Sequence, residues 1–233
     1  MPIVGVLGGM GPLATVDFMD RVIRLTRADR DQEHLPMMVA NLPHTPDRSA
    51  AIIGGGADPL PALFAGIDLL NRSGIGLMVV PCNSAHHWYA QMRERCAAPM
   101  LHIGEVCADA VPPGAGVAAV LATGGTLASG FYQSSLRERG VEAMTPDAAG
   151  QALISACIAK VKAGDLTEAG RLLDRALQGL AEAGAGVAVM ACTEIPLAAR
   201  ALTRPALPLI DSTHELARAT VDYALARGWN VAA

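Results

Sequence analysis

Two cysteines occupy matching positions in the chain. Cys82 follows the apolar run LMVVP, Cys192 follows the apolar run VAVMA, and small polar residues come after each. Such runs predict buried strands, so both thiols are expected at the carboxyl ends of strands, where ligands of open α/β sheets bind. The N-terminus of a following helix lowers the pKa of a thiol and favours the thiolate. The pattern therefore predicts two reactive thiols, although a cysteine at a strand end is also often a small buried apolar residue.

The remaining cysteines, Cys96, Cys107 and Cys157, are predicted to be buried apolar side chains within helical stretches. The total of 5 cysteines is odd and includes no CxxC pair, which disfavours a disulfide framework and a structural zinc site. We therefore expect no metal, and a reducing cytoplasm as the location.

Short apolar runs alternate with helical patterns along the whole chain. The runs predict strands at 3–7, 37–42, 75–81, 116–122, 186–191 and 207–210. Helical periodicity predicts helices at 13–28, 59–73, 85–97, 148–163, 166–183 and 213–227. Two helix starts read as capping boxes, Asp165 with Glu168 and Ser212 with Glu215. Strands that are apolar throughout are typical of parallel sheets buried on both faces, so the alternation predicts an α/β protein.

The strand–helix pattern runs twice, and each half contains one of the two strand–cysteine motifs. We expect two similar lobes, each a mainly parallel sheet flanked by helices, with a cleft between them. The N-terminal lobe, carrying Cys82, is predicted to comprise residues 1–103 plus 211–233, because the last helix is expected to pack back on it. The C-terminal lobe, 104–210, carries Cys192.

The composition excludes several classes of protein. Apolar residues make up 52% and charged residues 17%, which excludes a disordered chain. A net charge of −4 provides no basic surface for nucleic acid. No uninterrupted apolar run is long enough to predict a membrane span, and the first residues do not resemble a signal peptide. The glycine-rich segment 8–12 lacks the G-x-G-x-x-G spacing of a dinucleotide site.

Three motifs resemble the aspartate/glutamate racemase superfamily, in particular its aspartate-racemase branch: GVLGGMGPLAT at 5–15, PCNSAHHWY at 81–89 and ACTEIPL at 191–197. PDRS at 46–49 and LATGGTLASGFY at 121–132 add weaker support. The resemblance implies two lobes related by pseudo-twofold symmetry, catalytic residues Cys82 and Cys192, and a homodimer. It also implies that neither pyridoxal phosphate nor a metal is used. Ser84 stands where the family usually has threonine, and it keeps the hydroxyl group.

A racemase removes an α-proton from one face of its substrate and returns one to the other, so one base on each face is the direct solution. Cys82 and Cys192 are predicted to be these bases. The carbanion needs donors aimed at the carboxylate that takes up its charge. We expect backbone N–H or hydroxyl groups for this purpose from Met10, Gly11, Asn83, Ser84, Ala85 and Thr193.

Four further residues are predicted to contact the substrate, each with an ordinary structural alternative. Arg48 is predicted to clamp a side-chain carboxylate with its fork of donors, or else is a solvated surface residue. The resemblance also implies Lys162 as a second clamp; the alternative is a lysine at a helix C-terminus that complements the helix dipole. Thr126 contacts the substrate or stabilises a turn. Glu194 orients Thr193 or is an acidic residue of a first helical turn. His86 is interpreted as a structural residue.

The predicted reaction is the interconversion of L- and D-aspartate. A glutamate or broad-specificity racemase of the same superfamily is the nearest alternative. A pyridoxal-phosphate racemase would need Lys160 or Lys162, the only lysines, as its Schiff base. A non-catalytic carboxylate-binding protein would bind ligand without exchanging its α-proton.

Overall fold

The computed structural model describes residues 2–230, which form strands and helices in alternation. The strands are β1 (Val4–Gly8), β2 (Met37–Asn41), β3 (Leu77–Val79), β4 (Val117–Leu121), β5 (Glu142–Met144), β6 (Ala185–Met190) and β7 (Leu209–Asp211). The helices are α1 (Pro12–Leu25), α2 (Arg48–Ile52), α3 (Leu60–Arg72), α4 (Tyr89–Arg95), α5 (Ile103–Asp109), α6 (Gly124–Ser129), α7 (Phe131–Glu138), α8 (Ala148–Lys162), α9 (Leu166–Glu182), α10 (Ile195–Ala199) and α11 (Ser212–Leu225). Two 3-10 turns lie at Asp31–Glu33 and Ser84–Trp88.

The strands form two parallel sheets, in the orders β2-β1-β3 and β5-β4-β6-β7. All five residues of β1 are buried, and β4 and β6 are apolar throughout. Parallel strands lie between helices that cover both faces of the sheet, which accounts for these continuous apolar runs. The predicted α/β fold with two parallel sheets flanked by helices is confirmed.

One apolar cluster joins the two sheets. It includes Val6 of β1, Val120 of β4 and Val189 of β6, and Phe18 of α1 also belongs to it. Helix α11 packs against α1 and contributes further apolar residues to the cluster, Leu216, Ala217, Val221 and Ala224. The last helix therefore packs on the first helix of the chain and also contacts α5.

Helices α8 and α9 cover the outer face of the second sheet, where Ile154 and Leu173 pack against Ala119 and Ala188. Leu63 and Ile67 of α3 do the same for the first sheet. The molecule thus has a shared apolar centre and two outer apolar layers. This layering aligns the carboxyl ends of β1, β3, β4 and β6 toward a common region.

The short elements were missing from the prediction. Strand β5 has three residues, and α2, α5, α6 and α7 have five to eight, which is too short for a periodic pattern to show. The helix predicted at 85–97 was wrong in part, because 84–88 form a 3-10 turn before α4 begins. The predicted lobe boundaries at 103/104 and 210/211 fall inside α5 and β7, and the division into lobes stays a prediction.

The two predicted helix caps had different outcomes. Asp165 caps α9 by accepting a hydrogen bond from the N–H of Glu168, as predicted. The prediction for α11 was wrong, because Asp211 is the cap and accepts from the N–H groups of Thr213 and His214. The hydroxyl of Ser212 points inward instead and donates to the carbonyl oxygen of Met190.

In the part of the chain that the structure describes, no helix is both long and apolar enough to cross a membrane.

Replacing Phe18 by Ala is expected to lower the free energy of unfolding by about 3–5 kcal/mol, because its ring is fully buried where α1 meets the shared core. Val16 lies on the same helix with 60% of its surface exposed, so Val16→Ala should change stability by less than about 0.5 kcal/mol. Urea unfolding curves of both variants measure the difference. A loss below about 1 kcal/mol for Phe18→Ala would contradict the position given to the core.

Candidate active site

The carboxyl ends of strands from both sheets meet at a polar cleft. Met10 follows β1, Cys82 follows β3, Thr123 follows β4 and Cys192 follows β6. The residues that line the cleft are Met10, Asp47, Arg48, Ser49, Cys82, Asn83, Ser84, Thr123, Thr126, Lys162, Ala191, Cys192, Thr193 and Glu194. Both cysteines therefore reach the same cleft from different sheets.

The cleft brings together nearly all of the side chains singled out in the sequence. Of the predicted residues, Gly11 and Ala85 are outside its lining. Gly11 precedes the first turn of α1, and Ala85 is fully buried in the core beneath the first sheet. Both were expected to act through backbone N–H groups, and that role stays a prediction.

Sequence reasoning missed four residues of the lining: Asp47, Ser49, Thr123 and Ala191. Asp47 and Ser49 flank Arg48 in the PDRS motif, so their neighbourhood carried the signal. The Asp47 carboxylate caps α2 by accepting from the N–H of Ala50 at 2.7 Å. Thr123 caps α6 in the same way. Aspartate and threonine are common at helix starts. Helices α2 and α6 are nevertheless too short to show a helical pattern in the sequence.

Cys82 lines the cleft and otherwise packs in the apolar cluster of the first sheet. Its Sγ is 3.7 Å from the hydroxyl of Ser84. Its carbonyl oxygen is 2.9 Å from Nδ1 of His86. Burial lowers the pKa of His86 to about 3, so the ring is neutral and its Nδ1–H donates to that carbonyl. His86 thus holds the backbone of Cys82 and does not contact the sulfur, in agreement with a structural role.

Cys192 is bonded to a carboxylate. Its Sγ donates to Oε2 of Glu194 at 3.0 Å, and the hydroxyl of Thr193 donates to the same oxygen at 3.1 Å. Burial raises the pKa of Cys192 well above its usual range, and the charge and hydrogen bond of Glu194 raise it further. The backbone N–H of Glu194 and the charge of Lys162 act in the opposite direction. Cys192 is therefore a thiol at neutral pH.

The expectation that a helix N-terminus lowers the pKa of both thiols was wrong for Cys192. Helix α10 has only five residues and provides a small dipole, while burial and an adjacent carboxylate both favour the neutral thiol. Glu194 thus acts on Cys192 as well as on Thr193, which the sequence did not indicate.

Arg48 lies in the wall of the cleft. One terminal nitrogen donates to the carbonyl oxygens of Thr45 and Pro46 at 2.9 and 2.8 Å. The other is 3.4 Å from the carbonyl oxygen of Met10. Its Nε is buried and has no hydrogen-bond partner among residues 2–230. The guanidinium therefore holds two loops of the cleft and retains one buried donor.

A row of hydroxyl groups joins the two halves beside the cleft. The hydroxyls of Ser49 and Thr123 are 2.9 Å apart, and those of Thr123 and Thr126 are 3.1 Å apart. Helices α2 and α6 pack closely here, because a Cβ atom on Gly125 would lie 2.7 Å from Cα of Ser49. Glycine at position 125 permits this approach. Within the described residues, no cluster of His, Cys, Asp or Glu side chains could hold a metal ion.

The protein is an α/β protein with two parallel sheets. Their strand ends enclose one cleft, and a cysteine follows a strand of each sheet into it. Residues 7–220 match the model of the family described as Asp/Glu/Hydantoin racemase. The chain belongs to this family and is a racemase, as the sequence motifs indicated.

Relatives agree with this assignment. The chain is 31% identical to the broad specificity amino-acid racemase RacX of Bacillus subtilis over 96% of this chain and 98% of that protein. It is 35% identical to a glutamate racemase of Deinococcus radiodurans over 65% of this chain and 54% of that protein. The structure of an aspartate racemase from Picrophilus torridus is similar, with a TM-score of 0.82, 28% identity and coverage of 99% and 100% of the two chains.

The Glu194→Gln variant tests the electrostatic control of Cys192. Removing the carboxylate is expected to lower the pKa of Cys192 and to raise its rate of alkylation by iodoacetamide near neutral pH by at least about threefold. Mass spectrometry of peptides containing Cys192 measures the rate. Glu182→Gln, which changes an exposed carboxylate elsewhere, is the matched control. An unchanged or slower reaction of Cys192 in Glu194→Gln would contradict the assignment.

Proposed function

We propose that the protein interconverts L- and D-aspartate without a cofactor, by proton transfer between Cys82 and Cys192. The observation that carries the proposal is that two cysteines from separate sheets line one cleft. Membership of a racemase family supports it. Because the two thiols arrive on different sheets, a substrate between them can be reached on both faces of its α-carbon.

In one direction, the thiolate of Cys82 removes the α-proton and an S–H bond forms. The electron pair of the broken Cα–H bond moves into the adjacent carboxylate. The S–H of Cys192 then donates its proton to the opposite face of the same carbon and leaves a thiolate. The roles are reversed for the other enantiomer. The S–H of Cys192 suits it to act first as the acid.

Cys192 becomes a base only after it has given up its proton to the substrate. At the start, Glu194 keeps that proton on Cys192 through the 3.0 Å hydrogen bond from Sγ to Oε2. After one turnover Cys192 is a thiolate and Cys82 a thiol, which is the state from which the reverse reaction starts. Thr193 donates to the same Oε2 and holds it in place.

The charges of the cleft fit a dicarboxylic amino acid. Arg48 and Lys162 are positive, and Asp47 and Glu194 are negative. Aspartate carries two carboxylates and one ammonium group, so the two cations match its carboxylates and an acidic residue matches its amine. The terminal nitrogens of Arg48 are bonded to backbone carbonyl oxygens, so Arg48 contributes its positive charge to the cleft rather than a free fork of donors. Hydroxyls of Ser84, Thr126 and Thr193, together with the amide of Asn83, are the proposed donors to the developing carbanion.

A second candidate is a racemase of broad specificity, because the chain resembles RacX along almost its full length. Such an enzyme would accept uncharged side chains. The cationic residues of the cleft are the observation that favours an acidic substrate, so the comparison of aspartate with asparagine decides between the two candidates.

The homodimer implied by the family resemblance and the cytoplasmic location expected from the cysteine content stay predictions.

Incubation of the protein with L-aspartate in ²H₂O is expected to produce D-aspartate with deuterium at the α-carbon. Cys82→Ala and Cys192→Ala should each lower this exchange by at least about 10²–10⁴-fold, because each removes the acid or base on one face. Cys157→Ala, which changes a buried cysteine of α8 outside the cleft, is the control. NMR and chiral chromatography measure the products. Binding of aspartate without exchange of its α-proton would support a carboxylate-binding protein and contradict the proposal.

Lys162→Met is expected to lower kcat/KM for aspartate by about 10–100-fold and that for asparagine by less than about threefold, because only aspartate has the distal carboxylate. Lys160→Met is the matched control, because Lys160 lies two residues away and pairs with Asp165 at the surface. Equal losses for the two substrates, or none, would favour the broad-specificity candidate.

A further inference from the structure

A short network of buried hydrogen bonds connects the two cysteine-bearing segments behind the cleft. The hydroxyl of Tyr132 donates to Oδ1 of Asn83 at 2.5 Å. Nδ2 of Asn83 donates to the hydroxyl of Ser212 at 3.1 Å. That hydroxyl donates in turn to the carbonyl oxygen of Met190 at 2.8 Å. The network therefore uses Asn83 as an acceptor and as a donor at once.

The ends of the network lie beside the two thiols. Asn83 is the neighbour of Cys82, which follows the first sheet, and Met190 ends β6 two residues before Cys192. Ser212 begins α11 directly after β7, the strand that pairs with β6 at Met190. The bonds thus run from the segment of one cysteine to the segment of the other, and Asn83 is the one side chain of the three that also lines the cleft.

Tyr132 and Ser212 are fully buried, and neither lines the cleft. Burial raises the pKa of Tyr132, so the phenol stays protonated and remains a donor to Asn83. The surroundings are apolar, since Tyr132 belongs to the core that the two sheets share. A polar group in such surroundings is costly to leave without a partner, which makes each bond of the network hard to give up.

We infer that Tyr132 and Ser212 are positioning residues which act through Asn83 and fix the Cys82 segment relative to the Cys192 segment. The inference rests on the proposed function, because a two-base racemase needs both sulfurs at set positions around one carbon. Displacements on the scale of 1 Å reduce the rate of such a reaction strongly. Asn83 therefore has a structural task in addition to any contact with the substrate.

The test compares Tyr132→Phe, Ser212→Ala and the double variant in the exchange of aspartate in ²H₂O. Each single variant is expected to lower kcat by about 10–100-fold with KM within about threefold of the parent value. The double variant should lose little more than the worse single variant, because both act through the same amide. Thr220→Val is the control, since it removes a fully buried hydroxyl of α11 that bonds only within its own helix.

The same variants are alkylated with iodoacetamide, and the rates at Cys82 and Cys192 are measured by mass spectrometry. Ser212→Ala should change the rate at Cys82 by more than about twofold. Tyr132→Phe should do the same at Cys192, and Thr220→Val should change neither. This readout needs no activity, so it tests the network even where wild-type protein shows no exchange and the proposed function fails.

The inference is overturned if both single variants fold and keep kcat and both alkylation rates within about twofold of wild type. It is also overturned if KM rises while kcat is unchanged, which would make Asn83 a substrate contact alone. Each single variant removes one hydroxyl oxygen, so either one carries the test alone if the other fails to fold.

Discussion

The apolar core shared by the two sheets holds the ends of β3 and β6 in one region of the molecule. Parallel strands place their carboxyl ends on the same edge of a sheet, and here two such edges meet around the cleft. Val6, Val120 and Val189 lie in this core, and α1 and α11 close it from one side. Every distance in the cleft depends on this packing, because the cysteines follow directly from the strands that it joins.

The two thiols are placed in different electrostatic settings. Cys192 is bonded to Glu194 and is a neutral thiol, whereas Cys82 has the hydroxyl of Ser84 beside its sulfur and His86 behind its backbone. The proposed reaction starts from one protonated and one deprotonated group, and the neutral thiol of Cys192 fits the protonated one. Each of the two strand ends thus contributes a cysteine sulfur, and the neighbouring residues give the two sulfurs different hydrogen-bond partners.

Hydrogen bonds within the shared core fix the alignment of the segments that the apolar packing brings together. Apolar contacts bring the sheets together but tolerate small shifts between them, whereas the Tyr132–Asn83–Ser212 bonds require a single alignment. The row of hydroxyls from Ser49 to Thr126 joins the halves again beside the cleft. The cleft is therefore bordered by polar cross-links on two sides.

The sequence by itself determined the long elements and the parallel arrangement, because buried strands and helices of three turns or more leave local periodic patterns. It also singled out the two cysteines that line the cleft, because each directly follows an apolar strand. It also indicated Arg48 and Glu194 through motifs, and Lys162 through the family resemblance. Short elements such as β5 and α2 left too little pattern. Only the tertiary structure decided the raised pKa of Cys192 and the bonds of Tyr132 and Ser212, because both arise from burial and from partners distant in the chain.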